Sequence, residues 1–301
     1  MLGEDHPDTF VSMNNLAVVY RKQGKYDQAE PLLKNGLELQ RRRMGAENPD
    51  TLLMMNNLAR LYLDQGRYTP AEPLFTEALA IQRRVLGEEH PDTLTMMRNL
   101  AHLYRNQRKY APAEALLKQV AQVQQRLLGS EHPDTLTTLN ELAQLYQDQG
   151  KYGQADPLSA RVLEVRRQVL GDGHPDTVSA LASLGRVRLG LGRYVEAESL
   201  LRAALSAQEK NSPDAWQRYN IQSLLGACLA AQARFAEAEP LSLAAYRGLR
   251  QRQIAIPRDS RGAVDQAAER IVQLYRAWGR PQQAAEWSQK LEPKISAAQH
   301  R

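Results

Sequence analysis

The sequence predicts an all-α fold, a right-handed solenoid superhelix of about seven stacked antiparallel helix pairs. Three observations carry this. An eight-residue phrase recurs as LGEDHPDT from Leu2, MGAENPDT from Met44, LGEEHPDT from Leu86, LGSEHPDT from Leu128 and LGDGHPDT from Leu170, a fixed step of 42 residues. Between successive phrases lie two apolar stripes at three- and four-residue spacing, the pattern of two amphipathic helices. Prolines and glycines stand at the same places in each step, where helices start and stop.

The first helix of a unit opens at Pro7, whose missing N–H would lack an intrahelical partner anyway. Asp8 adds negative charge at the positive end of the helix dipole. Met13, Leu16, Ala17 and Tyr20 form its apolar stripe, and Gly24 can take the left-handed conformation that ends it. The second helix begins near Tyr26 and runs through Ala29, Leu32, Leu33, Leu37 and Leu39 to about Arg43, where Gly45 stops it. Ala17 and Ala29 sit where two helices must approach closely, because a large side chain there would wedge the pair apart. Neither helix can bury its stripe alone, so stability must come from stacked neighbours.

The remaining units follow the same plan with decreasing fidelity. Asn15-Leu16-Ala17 returns as Asn57-Leu58-Ala59 and Asn99-Leu100-Ala101, then as Glu141-Leu142-Ala143 and Ser183-Leu184-Gly185. Tyr20, Tyr62, Tyr104 and Tyr146 share a position that becomes Arg188. Gly24-Lys25-Tyr26 recurs as Gly66-Arg67-Tyr68, Gly150-Lys151-Tyr152 and Gly192-Arg193-Tyr194, but as Arg108-Lys109-Tyr110 in the third unit. Residues 1–211 thus hold five regular units. Residues 212–252 read as a degenerate sixth helix pair, 253–262 as a connection, 263–293 as a degenerate seventh pair capping the C-terminal end, and 294–301 as a frayed tail. The opening Met1-Leu2-Gly3 matches the end of a preceding second helix. We read it as the cut end of a longer array; the other reading is a natural start that leaves its first helix less protected.

These motifs carry a resemblance. The helix-pair pattern resembles the tetratricopeptide repeat, whose usual period is about 34 residues. The longer unit with Leu-Gly-x-x-His-Pro-Asp, Asn-Asn-Leu-Ala, Gln-Gly-Lys-Tyr and Ala-Glu-Pro-Leu is similar to the kinesin light chain variety, over residues 2–211. Such repeats also occur in bacterial proteins without kinesin, so no motor is implied. The resemblance implies that first helices line a concave surface capturing short, often acidic, peptide segments; no catalytic role and no cofactor are expected.

On that surface the positions displaced from the core stripe are Asn14, Asn15, Val18 and Arg21 in the first unit, and Asn56, Asn57 and Arg60 in the second. The third unit gives Arg98, Asn99, His102 and Arg105, the fourth Asn140, Glu141, Gln144 and Gln147, the fifth Ser179, Ser183 and Arg186. An asparagine amide both donates and accepts, so it can pair with the backbone of an extended peptide whatever its sequence. Arginines among the amides add charge-assisted bonds to carboxylates, and the resemblance implies a groove that reads an extended peptide, with Arg60, Arg98 and Arg186 selecting acidic side chains. For Asn15, Asn57 and Asn99 a second reading stands equally: they bond the neighbouring helix and order the stack.

Other functions find less support. No nucleophile–histidine–acid set, phosphate-binding glycine loop or paired-cysteine motif occurs. His6, His90, His132 and His174 share one loop position, with Asn48 in the second unit. Stacked helices lie roughly 8–10 Å apart, whereas metal ligands sit about 2 Å from one ion, so successive histidines cannot share a metal. The net charge of +5 invites a nucleic-acid partner. Yet Arg41, Arg42, Arg43, Arg83, Arg84, Arg126, Arg166 and Arg167 cluster at the ends of second helices, where cations complement the helix dipole and acidic loops lie close by. No run of about 18 apolar residues spans a bilayer, and no signal peptide opens the chain. The single cysteine, Cys228, reads as a small buried filler and suits a reducing compartment. Together these predict a cytoplasmic interaction scaffold, with two alternatives: a regulatory or sensor module of a larger protein, such as one bearing a kinase or NTPase, or a module that self-associates through its exposed first helix.

Overall fold

The computed structural model describes residues 7–257 and 260–291. Among these, the chain is helical throughout its regular structure, without strands. The helices are α1 (Pro7–Lys22), α2 (Tyr26–Met44), α3 (Pro49–Asp64), α4 (Tyr68–Val85), α5 (Pro91–Asn106), α6 (Tyr110–Leu127) and α7 (Pro133–Asp148). They continue as α8 (Tyr152–Leu170), α9 (Pro175–Gly190), α10 (Tyr194–Asn211), α11 (Trp216–Ala231), α12 (Phe235–Gln251), α13 (Gly262–Ala277) and α14 (Pro281–Gln289). The chain forms two compact units, residues 1–138 and 139–301, with the boundary inside α7. The Met1–His6 part of the first phrase and the tail expected to fray, 294–301, lie outside the described residues.

The recurring His-Pro-Asp-Thr phrase is a helix-start device. The Nδ1 atoms of His90, His132 and His174 accept the backbone N–H of Asp92, Asp134 and Asp176 at 3.2, 3.2 and 3.1 Å. Asn48 does the same with Oδ1, at 2.9 Å from the Asp50 nitrogen. Both side chains present an acceptor at the N-cap, which explains why asparagine can replace histidine there. The threonine of the phrase is fully buried at Thr51, Thr93, Thr135 and Thr177 and half-buried at Thr9, and Thr177 donates to the Arg166 carbonyl of the preceding helix at 3.2 Å. Capping and packing account for the phrase without a bound group.

In unit 1, α1 to α5 each pack on the next helix, and the odd helices also touch one another, α1 on α3 and α3 on α5. Unit 2 repeats this, with α9 on α11 and α11 on α13. The alanines at the close approach, Ala17, Ala29, Ala59, Ala71, Ala101 and Ala113, have no exposed surface, and the same holds for Ala143, Ala155 and Ala197. Large side chains fill the rest: Leu33, Met54, Met55, Leu61, Phe75 and Met97 in unit 1, and Leu181, Leu201, Leu225 and Leu229 in unit 2 are fully buried. The connection after α12 is pinned by Ile256, buried with Leu249 and Val264 against Trp216 and Tyr219.

One packing expectation is corrected. Leu16 was placed in the core stripe, yet its side chain is 44% exposed, while its equivalent Leu58 is 4% exposed. Leu58 lies in α3, which packs on α1, α2, α4 and α5, whereas the main packing of α1 among the described residues is on α2 and α3. A stripe position is buried only where a neighbour covers it.

Between repeats the units are tied by a polar clamp on the glutamate of Ala-Glu-Pro-Leu. Glu30 accepts from Tyr62 Oη at 3.3 Å and Arg67 Nη1 at 2.6 Å, both from the next repeat. Glu72 accepts from Gln107 at 2.9 Å and Lys109 at 3.0 Å, and Glu239 from Tyr275 Oη at 2.8 Å. The loss of tyrosine at Arg188 is compensated chemically: its guanidinium lies 3.4 Å from Asp156 and 2.7 Å from Glu196. Burial pushes the Glu30 carboxyl up, but the bonds from Lys34 and Arg67 outweigh it and hold it below its usual range. Cys228 is buried, with Sγ 3.2 Å from the Tyr194 carbonyl, and burial raises its thiol.

Candidate functional site

The odd helices carry the residues that the sequence singles out. In unit 1, α1, α3 and α5 bring Asn14, Asn15, Asn56, Asn57, Arg60, Arg98, Asn99 and His102 onto neighbouring turns. The amides prove to be linked from repeat to repeat. Asn57 Nδ2 donates to Asn14 Oδ1 at 2.8 Å, and both side chains are buried, at 7% and 8% exposure. One repeat further, Asn99 Nδ2 donates to Asn56 Oδ1 at 2.8 Å, here half-buried. Asn15 is exposed. Each bond joins the second asparagine of one repeat to the first of the repeat before it. Asn14 and Asn57 are thus buried and bonded to each other, whereas Asn56 and Asn99 are half-buried and Asn15 is exposed.

Arg60 stands out on this face. It is half-buried, and among the described residues its guanidinium has neither a hydrogen bond nor an ion pair. Burial lowers its pKa first, and the positive charge of Arg21 lowers it further against a smaller opposing pull from Asp64. Arg21 takes Asp64 for itself, with Nη1 2.5 Å from Oδ2. Consequently the carboxylate that acts on Arg60 among the described residues, Asp64, is already engaged, and the cation stays under-compensated. Arg98 and His102 are half-buried.

In unit 2, Asn140 and Gln144 on α7 are half-buried, as is Arg186 on α9. Gln147 Nε2 donates to Ser183 Oγ at 3.2 Å, continuing the pattern of polar contacts between odd helices. Two residues escaped the sequence reading. Arg270 on α13 donates through Nη1 to Ser223 Oγ on α11 at 3.1 Å. Counted back from Gly279 and Tyr275, which match Gly24 and Tyr20, Arg270 falls at the position of Asn15, Asn57 and Asn99. Ser223 likewise falls at the position of Asn14 and Asn56 when Leu225-Gly226 is set on Leu184-Gly185. The signal was present in the register but was obscured by the irregular spacing of the last repeats.

Among the described residues no group of three or more histidine, cysteine, aspartate and glutamate side chains is placed to hold a metal ion, and no helix is long and apolar enough to cross a membrane. Several arginines at the second-helix ends pair across repeats, Arg84 with Glu47 at 2.6 Å, Arg41 with Glu77 at 2.7 Å and Arg126 with Glu89, while Arg42 pairs with Glu38 on its own helix and Arg167 with Asp172 just beyond its own.

Stacked antiparallel helix pairs define an α-helical repeat protein of the kind that engages other proteins. The family model of the tetratricopeptide repeat matches residues 8–84, 50–126, 106–158 and 134–210, and the chain belongs to that family. Among solved structures it is similar to nearly identical TPR-like repeats of the kinesin light chain type from Podosopora anserina, at 31% identity and a TM-score of 0.61, covering 69% of this chain and 98% of that one. Apo RapI shares the fold at a TM-score of 0.76 and 13% identity, covering 96% of this chain and 99% of that one. A Rap protein complexed with Competence and Sporulation Factor shares it at 0.58 and 14%, covering 98% and 99%. No curated protein matches the sequence.

Proposed function

We propose that this chain is a non-enzymatic scaffold that holds an extended acidic peptide of a partner protein along the odd-helix face of unit 1. Arg60 receives a carboxylate of the ligand, and the observation that carries the reading is its half-buried guanidinium without a bonded counter-charge. A carboxylate placed there gains charge-assisted, bidentate bonds and relieves an uncompensated charge. Beside it, Asn56, Asn99 and Asn15 offer amide edges to the peptide backbone. Arg98 and His102 border the same strip, and Asn140, Gln144 and Arg186 carry the corresponding positions in unit 2. Asn14 and Asn57 order the stack beneath it. A Rap protein alike in fold is solved in complex with Competence and Sporulation Factor, which agrees with a ligand-holding role for such a fold.

A second reading, self-association, rests on α1, where Val11, Leu16 and Val19 are all exposed. The deciding experiment is selection from a display library of short peptides with the full chain, beside an Asn56→Ala/Arg60→Ala/Arg98→Ala variant. Enrichment of acidic peptides that the variant loses while keeping its helicity supports the groove. No enrichment, or equal binding by the variant, overturns it, and a mass that rises with concentration would favour self-association.

A further inference from the structure

The glutamate clamp recurs from repeat to repeat, and its donors occur once more without a carboxylate. An even helix packs on the odd helix that follows it, α2 on α3 and α4 on α5, and brings one acidic side chain to that repeat's donors. Glu30 meets Tyr62 and Arg67, Glu72 meets Gln107 and Lys109, and Glu198 meets Gln232 and Arg234. Asp156 does the same for Arg188 and Arg193, at 3.4 and 3.2 Å. The corresponding donors on and just beyond α1 are Tyr20, Gln23 and Lys25. Gln23 and Lys25 are exposed, and among the described residues no carboxylate pairs with any of the three. Lys25 Nζ instead lies over the Tyr20 ring, 5.8 Å from its centre.

The apolar stripe shows the same gap independently. Leu16 and Val19 are exposed, Val19 by 48%, whereas their counterparts Leu58 and Leu61 on α3, and Leu100 and Leu103 on α5, are buried. Val11 does not belong to this face, because its counterpart Leu53 is just as exposed inside the stack. The face of α1 thus has the composition of an internal junction, two apolar side chains beside a carboxylate clamp. The internal junctions also say what fits it. Ala71 is fully buried before Glu72, with Phe75 and Leu79 buried three and seven residues after the glutamate; Ala29, Glu30, Leu33 and Leu37 repeat the spacing. These positions share one side of a helix. A second copy of this chain stacked end-on does not supply the charge: counted from Gly279 as Glu30 is from Gly24, its α14 carries Ala285 at the glutamate position.

We infer that Leu16, Val19, Tyr20 and Lys25 form a docking face for an amphipathic helix of a partner protein, one that carries Ala-Glu with apolar residues three and seven positions after the glutamate. The partner's glutamate accepts from Lys25 Nζ and Tyr20 Oη, as Glu72 accepts from Lys109 and Glu30 from Tyr62. Its apolar residues cover Leu16 and Val19. The inference does not rest on the acidic-peptide reading, since it uses neither Arg60 nor the amides and takes a helix rather than an extended chain.

The probe is a fluorescein-labelled peptide of this chain's own residues 68–85, held helical by a hydrocarbon staple across positions 76 and 80, both exposed on α4. Its binding to the full chain is followed by fluorescence anisotropy, and saturation is expected. The same peptide with Glu72→Gln should bind about tenfold more weakly, the usual consequence of losing a charge-assisted bond. Leu16→Ala/Val19→Ala in the chain should weaken binding at least as much, and both residues are exposed, so the fold tolerates the change. Val195→Ala, exposed on α10, should leave it unchanged. Lys25→Glu should lose the peptide and regain affinity for the peptide with Glu72→Lys. That charge exchange separates docking on α1 from capture of the peptide's carboxylates at Arg60. Absence of saturable binding, equal binding of the Glu72→Gln peptide, or failure of the exchange overturns the inference. A mass of the chain alone that rises with concentration, and no longer does so in Leu16→Ala/Val19→Ala, overturns it in favour of a second copy.

Discussion

Replacing Asn57 by alanine should reveal what the asparagines of the odd helices are for. The Asn57 amide lies 2.8 Å from the Asn14 oxygen, with both side chains less than one-tenth exposed. Asn57→Ala therefore strands a buried carbonyl oxygen that water does not readily reach. Leaving such a group unsatisfied costs about 1–3 kcal/mol. The equivalent pair, Asn99 to Asn56, has the same length but is half-buried, so water can replace the lost donor. Asn99→Ala should cost only about 0.5–1 kcal/mol, the net worth of an ordinary hydrogen bond. Removing both members of the buried pair abolishes the stranded group, so Asn14→Ala/Asn57→Ala should be less destabilising than the sum of its parts by about 1 kcal/mol. Urea unfolding followed by circular dichroism measures all four variants, with hydrogen exchange of the α1 and α3 amides locating the loss. If Asn57→Ala costs no more than Asn99→Ala and the double variant is additive, the ladder does not couple the repeats. A loss of peptide binding at unchanged stability would instead return Asn57 to the ligand.

Three further outcomes follow from the packing. Glu198 accepts from Gln232 at 2.9 Å and Arg234 at 2.7 Å; burial raises its carboxyl, and these bonds with Arg202 override it, to about 2 from the usual 4.5. A depressed carboxylate stabilises the fold above pH 4.5, and the contribution disappears as pH falls towards 2. Discounted for solvent screening, Glu198→Gln should cost about 1–2 kcal/mol at neutral pH and much less near pH 2.5. Equal effects at both pH values in urea titrations would refute this. Arg108 holds a left-handed φ of 59° at the position that other repeats give to glycine, as with Gly66 at 71°. Arg108→Gly should raise stability by about 1 kcal/mol, the strain of that conformation less the added chain entropy; a lower thermal midpoint would count against it. Leu58→Ala should cost about 2–5 kcal/mol, whereas Leu16→Ala, on an uncovered face, should stay within about 0.5–1 kcal/mol. Comparable midpoint losses would mean that Leu16 is covered in solution.

The fold was legible because its instructions are local. Pro91 at the helix start, His90 as its cap and Gly87 before it act within a few residues, so the 42-residue spacing marks where each helix begins and ends. The alanine positions were equally plain, since only a small side chain recurs where two helices touch. Leu16 was misplaced because periodicity reports which face a residue occupies, and burial also requires a neighbour on that face. Asn14 and Asn57 are alike in sequence to Asn56 and Asn99, yet only the former pair is buried.

By itself, then, the sequence determined the repeat, the helix pairs, their caps and the polar strip along the odd helices. Tertiary structure alone decided which of those polar groups are spent on the stack and which stay open. Asn57 meets Asn14 across 43 residues and Arg270 meets Ser223 across 47, distances along the chain that only stacking closes. Whether Arg60 finds a carboxylate depends on the side chains that neighbouring helices bring to it, and Asp64 is already taken by Arg21. A pairing set by three-dimensional competition among charges leaves no mark in the period of a repeat.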